Sequence, residues 1–156
     1  MTSGEQEGFD LCKSYEKFVG HPYYATKAEE KKGTATIGYG MCFYPDDTRV
    51  TIDDEPITEE AALLLFTQIW NKRKAYVESK WKGIATTDKQ LGAMTCFLYW
   101  SGYGNFSKSQ LLAYHLRGDH EQAAREFMSK SWTTQGGLEL GGLVSRRKKE
   151  QLLYRG

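Results

Sequence analysis

Hydrophobic periodicity changes once along this chain, and the change decides what it can fold into. Up to about residue 57, apolar residues are interrupted by turn formers; from Thr58 onward they recur at helical spacing. Thr58 can cap a helix, and Glu59-Glu60 suit the positive first turn. Ala62, Leu65, Phe66, Ile69, Tyr76 and Val77 then share one face to about Lys80. Beyond Gly83, Thr87-x-x-Gln90, Ser107-x-x-Gln110 and Asp119-x-x-Gln122 each open a further helix. Gly136-Gly137 and Gly141-Gly142 frame a loop before a last amphipathic helix over residues 143–153.

Ahead of the change, Ser3-x-x-Gln6 fits a capping box for a helix ending near residues 16–18, because Gly20 and Pro22 forbid continuation. Residues 23–52 read as strand and loop. They contain the Tyr23-Tyr24 pair, a charged turn over 29–33, a β-prone stretch over 34–40, the turn Pro45-Asp46-Asp47 and a short strand over 49–52. The pattern predicts an α+β fold, mostly helical, with a small antiparallel β-sheet lobe joined by a long helix to a helical lobe. All of it belongs to one domain: 1–56 for the first helix and β lobe, 57–82 for the connecting helix, 83–156 for the helical lobe. A cleft between lobes is the expected ligand site.

Charge excludes some functions. The 156 residues carry a net charge of +1, which gives no electrostatic case for nucleic acid. Acidic pairs gather between residues 27 and 60, and cations at Lys72-Arg73-Lys74, Lys80, Lys82 and Arg146-Arg147-Lys148-Lys149. These runs read as solvated faces before they read as a site for an anionic polymer. Cys12, Cys42 and Cys96 are odd in number and form no CxxC motif, as expected of reduced, buried side chains. His21, His115 and His120 lack metal-ligand spacing, so neither metal nor cofactor is expected. No apolar run approaches membrane-spanning length, so no stable membrane insertion is expected. The first eight residues lack the basic start and apolar core of a signal peptide, which points to synthesis in the cytoplasm.

Glu16 carries the chemistry. From Phe9, the helical positions i+3, i+4 and i+7 are Cys12, Lys13 and Glu16, so the carboxylate looks inward near the negative end of a helix. Burial and that dipole both favour the protonated form, as a general acid requires. A structural carboxylate paired with an arginine fits the same position.

The landmarks around it resemble, in order, those of the phage-type lysozymes, or endolysin muramidases. The run Gly8-Phe-Asp-Leu-Cys-Lys-Ser-Tyr-Glu16-Lys-Phe, the tyrosine pair and Thr36-Ile37-Gly38-Tyr39-Gly40 resemble that family's opening. Ile57-Thr-Glu-Glu-Ala61, residues 91–112 and Gly142-Leu-x-x-Arg-Arg-x-x-Glu150 resemble its later parts. The resemblance implies cleavage of the β-1,4 bond between N-acetylmuramic acid and N-acetylglucosamine in peptidoglycan. It implies Glu16 as general acid, Thr36 holding a water near the anomeric carbon, and an arginine of the Arg146-Arg147 pair, Arg146 before Arg147, bracing Glu16. Tyr39 and Trp100 are candidates for substrate contact, although Trp100 could equally fill the core. The protein would be a monomer whose partner is the glycan strand, reaching the cell wall through another delivery system.

Three positions depart from the family. Ala25 stands where an acidic residue is usual, nine positions after Glu16, and the segment before Thr36 carries about four extra residues. Glu30 then falls at the family's spacing from Thr36 and becomes the candidate second catalytic carboxylate, with Glu29 as the alternative and a solvated charged turn as the plain reading. Met41 replaces a histidine, and Trp100 stands where Asn or Gln is usual. A binding module that has lost hydrolysis, or a lytic transglycosylase, would fit the same departures.

Overall fold

The computed structural model describes residues 1–81 and 83–156; Lys82, placed by sequence in a basic group and at the end of the connecting helix, lies outside the described residues. The elements run α1 (Ser3–Ser14), β1 (Phe18–Tyr23), α2 (Lys27–Lys32), β2 (Thr36–Tyr39), α3 (Glu59–Glu78), α4 (Asp88–Ser101), α5 (Tyr103–Ser107) and α6 (Gln110–Leu116). They continue with α7 (His120–Glu126), α8 (Lys130–Thr133), β3 (Thr134–Gln135), β4 (Leu138–Glu139) and α9 (Gly141–Arg155). Strands among the described residues pair only as two-stranded antiparallel sheets, β1 with β2 and β3 with β4. The mostly helical α+β architecture expected from the sequence is the one that forms. Two compact units divide the chain: Lys13–Lys72, and Met1–Cys12 together with Arg73–Gly156. No described helix is long and apolar enough to cross a membrane.

In the unit Lys13–Lys72, β1 and β2 pair as Phe18 with Tyr39, Val19 with Gly38 and Tyr23 with Thr36. The register shifts between Val19 and Tyr23, so Gly20 and Pro22, which sequence read only as helix breakers, sit inside a bulged strand. After β2 the chain turns back within three residues: Ile37 and Met41 exchange both backbone hydrogen bonds at 2.9 Å. Pro45-Asp46-Asp47 forms the expected turn, with Asp46 accepting the Thr48 amide at 3.0 Å. Residues 49–52 do not form a strand. Arg49 makes one bridge to Phe43 and Val50 bonds to Ala35 and Cys42, after which Asp54 folds back onto Thr51 and ends the pairing. The charged stretch over 29–33 is also no simple turn: it belongs to α2, which Thr26 caps at one end and Gly33 closes at the other. Ala62, Phe66, Ile69 and Trp70 of α3 are buried, as are Ile37, Tyr39, Met41 and Val50.

Two helix starts lie away from the expected residue. Thr2, not Ser3, caps α1: its hydroxyl accepts the Glu5 amide at 3.3 Å and Glu5 Oε2 accepts the Thr2 amide at 2.8 Å. An ionised carboxylate is the stronger acceptor for a backbone amide, and Gln6 bonds Asp10 instead. Ser109, not Ser107, caps α6, because residues 103–107 already form α5.

The helical unit is built on α4, buried continuously from Gln90 to Leu98. Its core joins Phe97, Leu98, Phe106, Leu111, Phe127 and Tyr154. Glycines let α1 and α4 touch backbone to backbone; a Cβ on Gly8 would stand 2.5 Å from the Gly92 Cα. Cys12 and Cys96, one turn further along each helix, are fully buried.

His115 is buried in the same unit. Its ring bonds Tyr154 Oη at 2.6 Å and Thr86 Oγ1 at 2.8 Å and stacks on His120 with centroids 5.0 Å apart. Burial, with a smaller contribution from His120, holds its pKa down to about 4. The unfolded chain binds that proton from about pH 6.5. Stability from the neutral ring is therefore complete above that pH and lost as pH falls towards 4. Urea unfolding should show roughly 2 kcal/mol less stability at pH 5 than at pH 7 from this group. His115→Asn should flatten that slope.

Candidate active site

Glu16, Thr36 and Glu29 all lie in the unit Lys13–Lys72. Glu16 is not on α1, as the 3.6-residue spacing suggested. The helix stops at Ser14, and Glu16 lies two residues on, half-buried, with its amide bonded to Lys13 O at 3.0 Å. Its carboxylate packs against the backbone at Gly40. Gly40 has φ +69°, and any Cβ there would collide with Glu16 Oε2. The last glycine of TIGYG thus does two things: it turns the chain after β2 and leaves room for the acid.

Opposite chemistry comes from α2. Thr26 and Glu29 form a reciprocal capping box, the Thr26 hydroxyl accepting the Glu29 amide at 3.2 Å. The returning Glu29 carboxylate reaches beyond its own cap. Oε2 accepts the Ala25 amide at 2.5 Å and the Thr26 amide at 3.2 Å, while Oε1 accepts the Thr36 hydroxyl at 2.7 Å. Cys42 adds its thiol, 3.5 Å from Glu29 Oε1 and 3.6 Å from Thr36 Oγ1. The carboxyl group absent from the Ala25 side chain is thereby held at the Ala25 amide by a residue four positions later. Glu30, the residue chosen by spacing, is exposed, while Glu29 beside it bonds Thr36. Adjacent side chains on a helix point about 100° apart, and here it is Glu29 that faces Thr36.

Electrostatics follow from these contacts. Burial pushes the Glu29 pKa up, but hydrogen bonds from Thr36, the Ala25 amide, Cys42 and the Thr26 amide outweigh it, leaving the group below its ordinary value and ionised at neutral pH. Burial raises the Cys42 thiol, and the charges of Glu29 and Glu16 raise it further. Tyr23 is raised by burial, then by Glu16, Glu29 and Cys42. Tyr23 and Cys42 therefore each lie within the field of both carboxylates.

The remaining candidates are placed differently. Tyr39 is 5% exposed, packs edge-on against Phe66 and bonds Glu59 through its hydroxyl at 3.0 Å, a core position. Met41, in the family's histidine place, is also core. Trp100 is half-buried in the helical unit beneath the Arg147 guanidinium, 4.3 Å from its ring centroid, and edge-on to Trp132. Arg146 is buried in that unit, 3.8 Å from Glu150 Oε2. Its neighbour Arg147 is consumed by the core, paired with the fully buried Glu150 at 2.5 Å and wedged against Phe97 and Trp100. Sequence reasoning missed Cys42, counted among the buried cysteines although it is only partly buried. The pairing of residues 37 and 41, which sets Cys42 opposite Thr36, is hidden in a tight turn. Glu29 did have a signal, the Thr26-x-x-Glu29 capping pattern.

Gly40→Ala tests the acid's seat. The added methyl should displace the Glu16 carboxylate and strain a left-handed backbone by about 1–2 kcal/mol. Thermal melting should fall by several degrees.

The sequence matches the phage lysozyme family over residues 13–150, and the chain belongs to that family. It is 33% identical to the endolysin of Bacillus phage B103 over 96% of its own length and 52% of the relative's, and 33% identical to that of Bacillus phage PZA over 96% and 54%. The chain thus spans about half the length of these curated relatives. Among solved structures, it resembles the endolysin from Escherichia coli O157:H7 phage FAHEc1 with TM-score 0.75 and 26% identity, covering 96% of this chain and 90% of that one. The muramidase domain of SpmX from Asticaccaulis excentricus shares the fold with TM-score 0.78 at 23% identity, covering 96% and 95%.

Proposed function

We propose that this chain is a muramidase that hydrolyses the β-1,4 bond between N-acetylmuramic acid and N-acetylglucosamine in the peptidoglycan of the cell wall. The observation that carries the reading is the Thr36 hydroxyl bonded to Glu29 in the unit that also holds Glu16. A hydroxyl has one proton, and Thr36 gives it to Glu29; towards water, Thr36 can then only accept. A water donating to Thr36 keeps a lone pair for the anomeric carbon. Glu16 supplies the proton that the departing glycosidic oxygen needs. Glu29, ionised, offsets the positive charge that develops at the sugar ring as the bond breaks, and it takes up the Thr36 proton as the attacking water passes its own proton to Thr36. Water attack from the face opposite the leaving group inverts the anomeric configuration.

A carboxylate beside Thr36 favours hydrolysis over the transglycosylase reading, which drew on its loss. Digestion of purified peptidoglycan should release glycans ending in reducing sugars. Anhydro ends would instead establish a transglycosylase, and binding without any product would establish a module that has lost catalysis.

A further inference from the structure

We propose that Cys42 is a positioning residue for this reaction, its thiol donating a hydrogen bond that fixes the Glu29–Thr36 pair. The inference rests on the functional reading above but has its own geometric basis. Residues 37 and 41 are paired across the turn after β2, so the next pair outward is Thr36 and Cys42. Cross-strand neighbours share a face, and this one turns towards Glu29. The three polar atoms close a triangle: Thr36 Oγ1 to Glu29 Oε1 at 2.7 Å, Cys42 Sγ to Glu29 Oε1 at 3.5 Å, and Cys42 Sγ to Thr36 Oγ1 at 3.6 Å.

Proton counting assigns the donors. Thr36 donates its only hydroxyl proton to Glu29 at the shortest side of the triangle, so the bond between Cys42 and the pair must use the S–H proton. Burial and the two nearby carboxylates keep that proton on sulfur. Sulfur's long reach lets one weak donor touch both partners without displacing either. The ionisable groups around it are Glu29 from α2, Glu16 from the turn after α1 and Tyr23 from β1. Both carboxylates repel a thiolate, and the tyrosine is held protonated.

Removing the donor should leave Glu29 less well held and easier to protonate. Cys42→Ala should therefore move the acidic limb of the pH–activity profile upward by about half a unit and lower kcat about two- to tenfold with KM little changed, as expected for one hydrogen bond to a carboxylate. Cys42→Ser keeps a donor and should restore the limb. Independently of activity, the Glu29 carboxyl carbon followed by NMR during titration should show the same upward shift in Cys42→Ala and its reversal in Cys42→Ser. Should Cys42→Ala not fold, Cys42→Val, closer in volume, carries the same expectation. An unshifted Glu29 titration in the apolar variant overturns the proposal, as does a serine variant shifted as far as alanine. If wild type releases no glycan product, the muramidase reading fails while the titration still decides the hydrogen bond.

Discussion

Glu16→Gln is expected to reduce peptidoglycan hydrolysis by about 10²–10⁴-fold, the contribution of a positioned general acid. Glutamine matches glutamate in shape, so the packing against Gly40 survives and circular dichroism and melting should change little. The loss should fall on kcat, because the proton is needed only as the glycosidic bond breaks. Product release at the wild-type rate would remove Glu16 from the mechanism and with it the reading of the site.

Glu29→Gln should produce the second large loss, about 10²–10³-fold, as for removal of a preorganised charge that faces a developing one. The amide oxygen can still accept from the Ala25 and Thr26 amides while its NH2 faces the Thr36 hydroxyl, so the change removes the charge and reverses the Thr36 hydrogen bond at nearly constant shape. Glu30→Gln is the matched control. It alters the adjacent, exposed carboxylate and should leave turnover within about twofold, as is usual for a surface substitution of this kind. The opposite ranking, with Glu30→Gln the more damaging, would show that spacing from Thr36 was the better guide than the hydrogen bonds seen here.

These two residues also show where sequence was readable. The helical part was legible because burial enforces a strict period: the apolar residues marked on α3 from Ala62 to Val77, and the caps Thr58, Thr87 and Asp119, lie where the pattern put them. Glu16 was legible as a position but not as a conformation. Helical spacing continued through it on paper, while the chain leaves the helix at Ser14 to enter β1. Tyr39 was a candidate for substrate contact, yet all four residues of β2 are buried. The second carboxylate was assigned by counting back from Thr36, which led to Glu30 with Glu29 as the alternative. Six of the intervening residues are wound into α2, and of the two carboxylates it is Glu29 that bonds Thr36.

The capping box of α2 has a consequence for how such a site can change. Every bond that anchors the Glu29 carboxylate on its own side of the site comes from Ala25 or Thr26, at most four residues away. Contacts this local have low contact order and close at little entropic cost. The number of residues between Glu16 and Thr36 then ceases to be a quantity the fold must preserve. An insertion is tolerated wherever it brings its own threonine and glutamate three apart. The second carboxylate behaves as a portable cassette, exchangeable as a short piece of chain, with Thr36 and Cys42 the fixed points it has to meet.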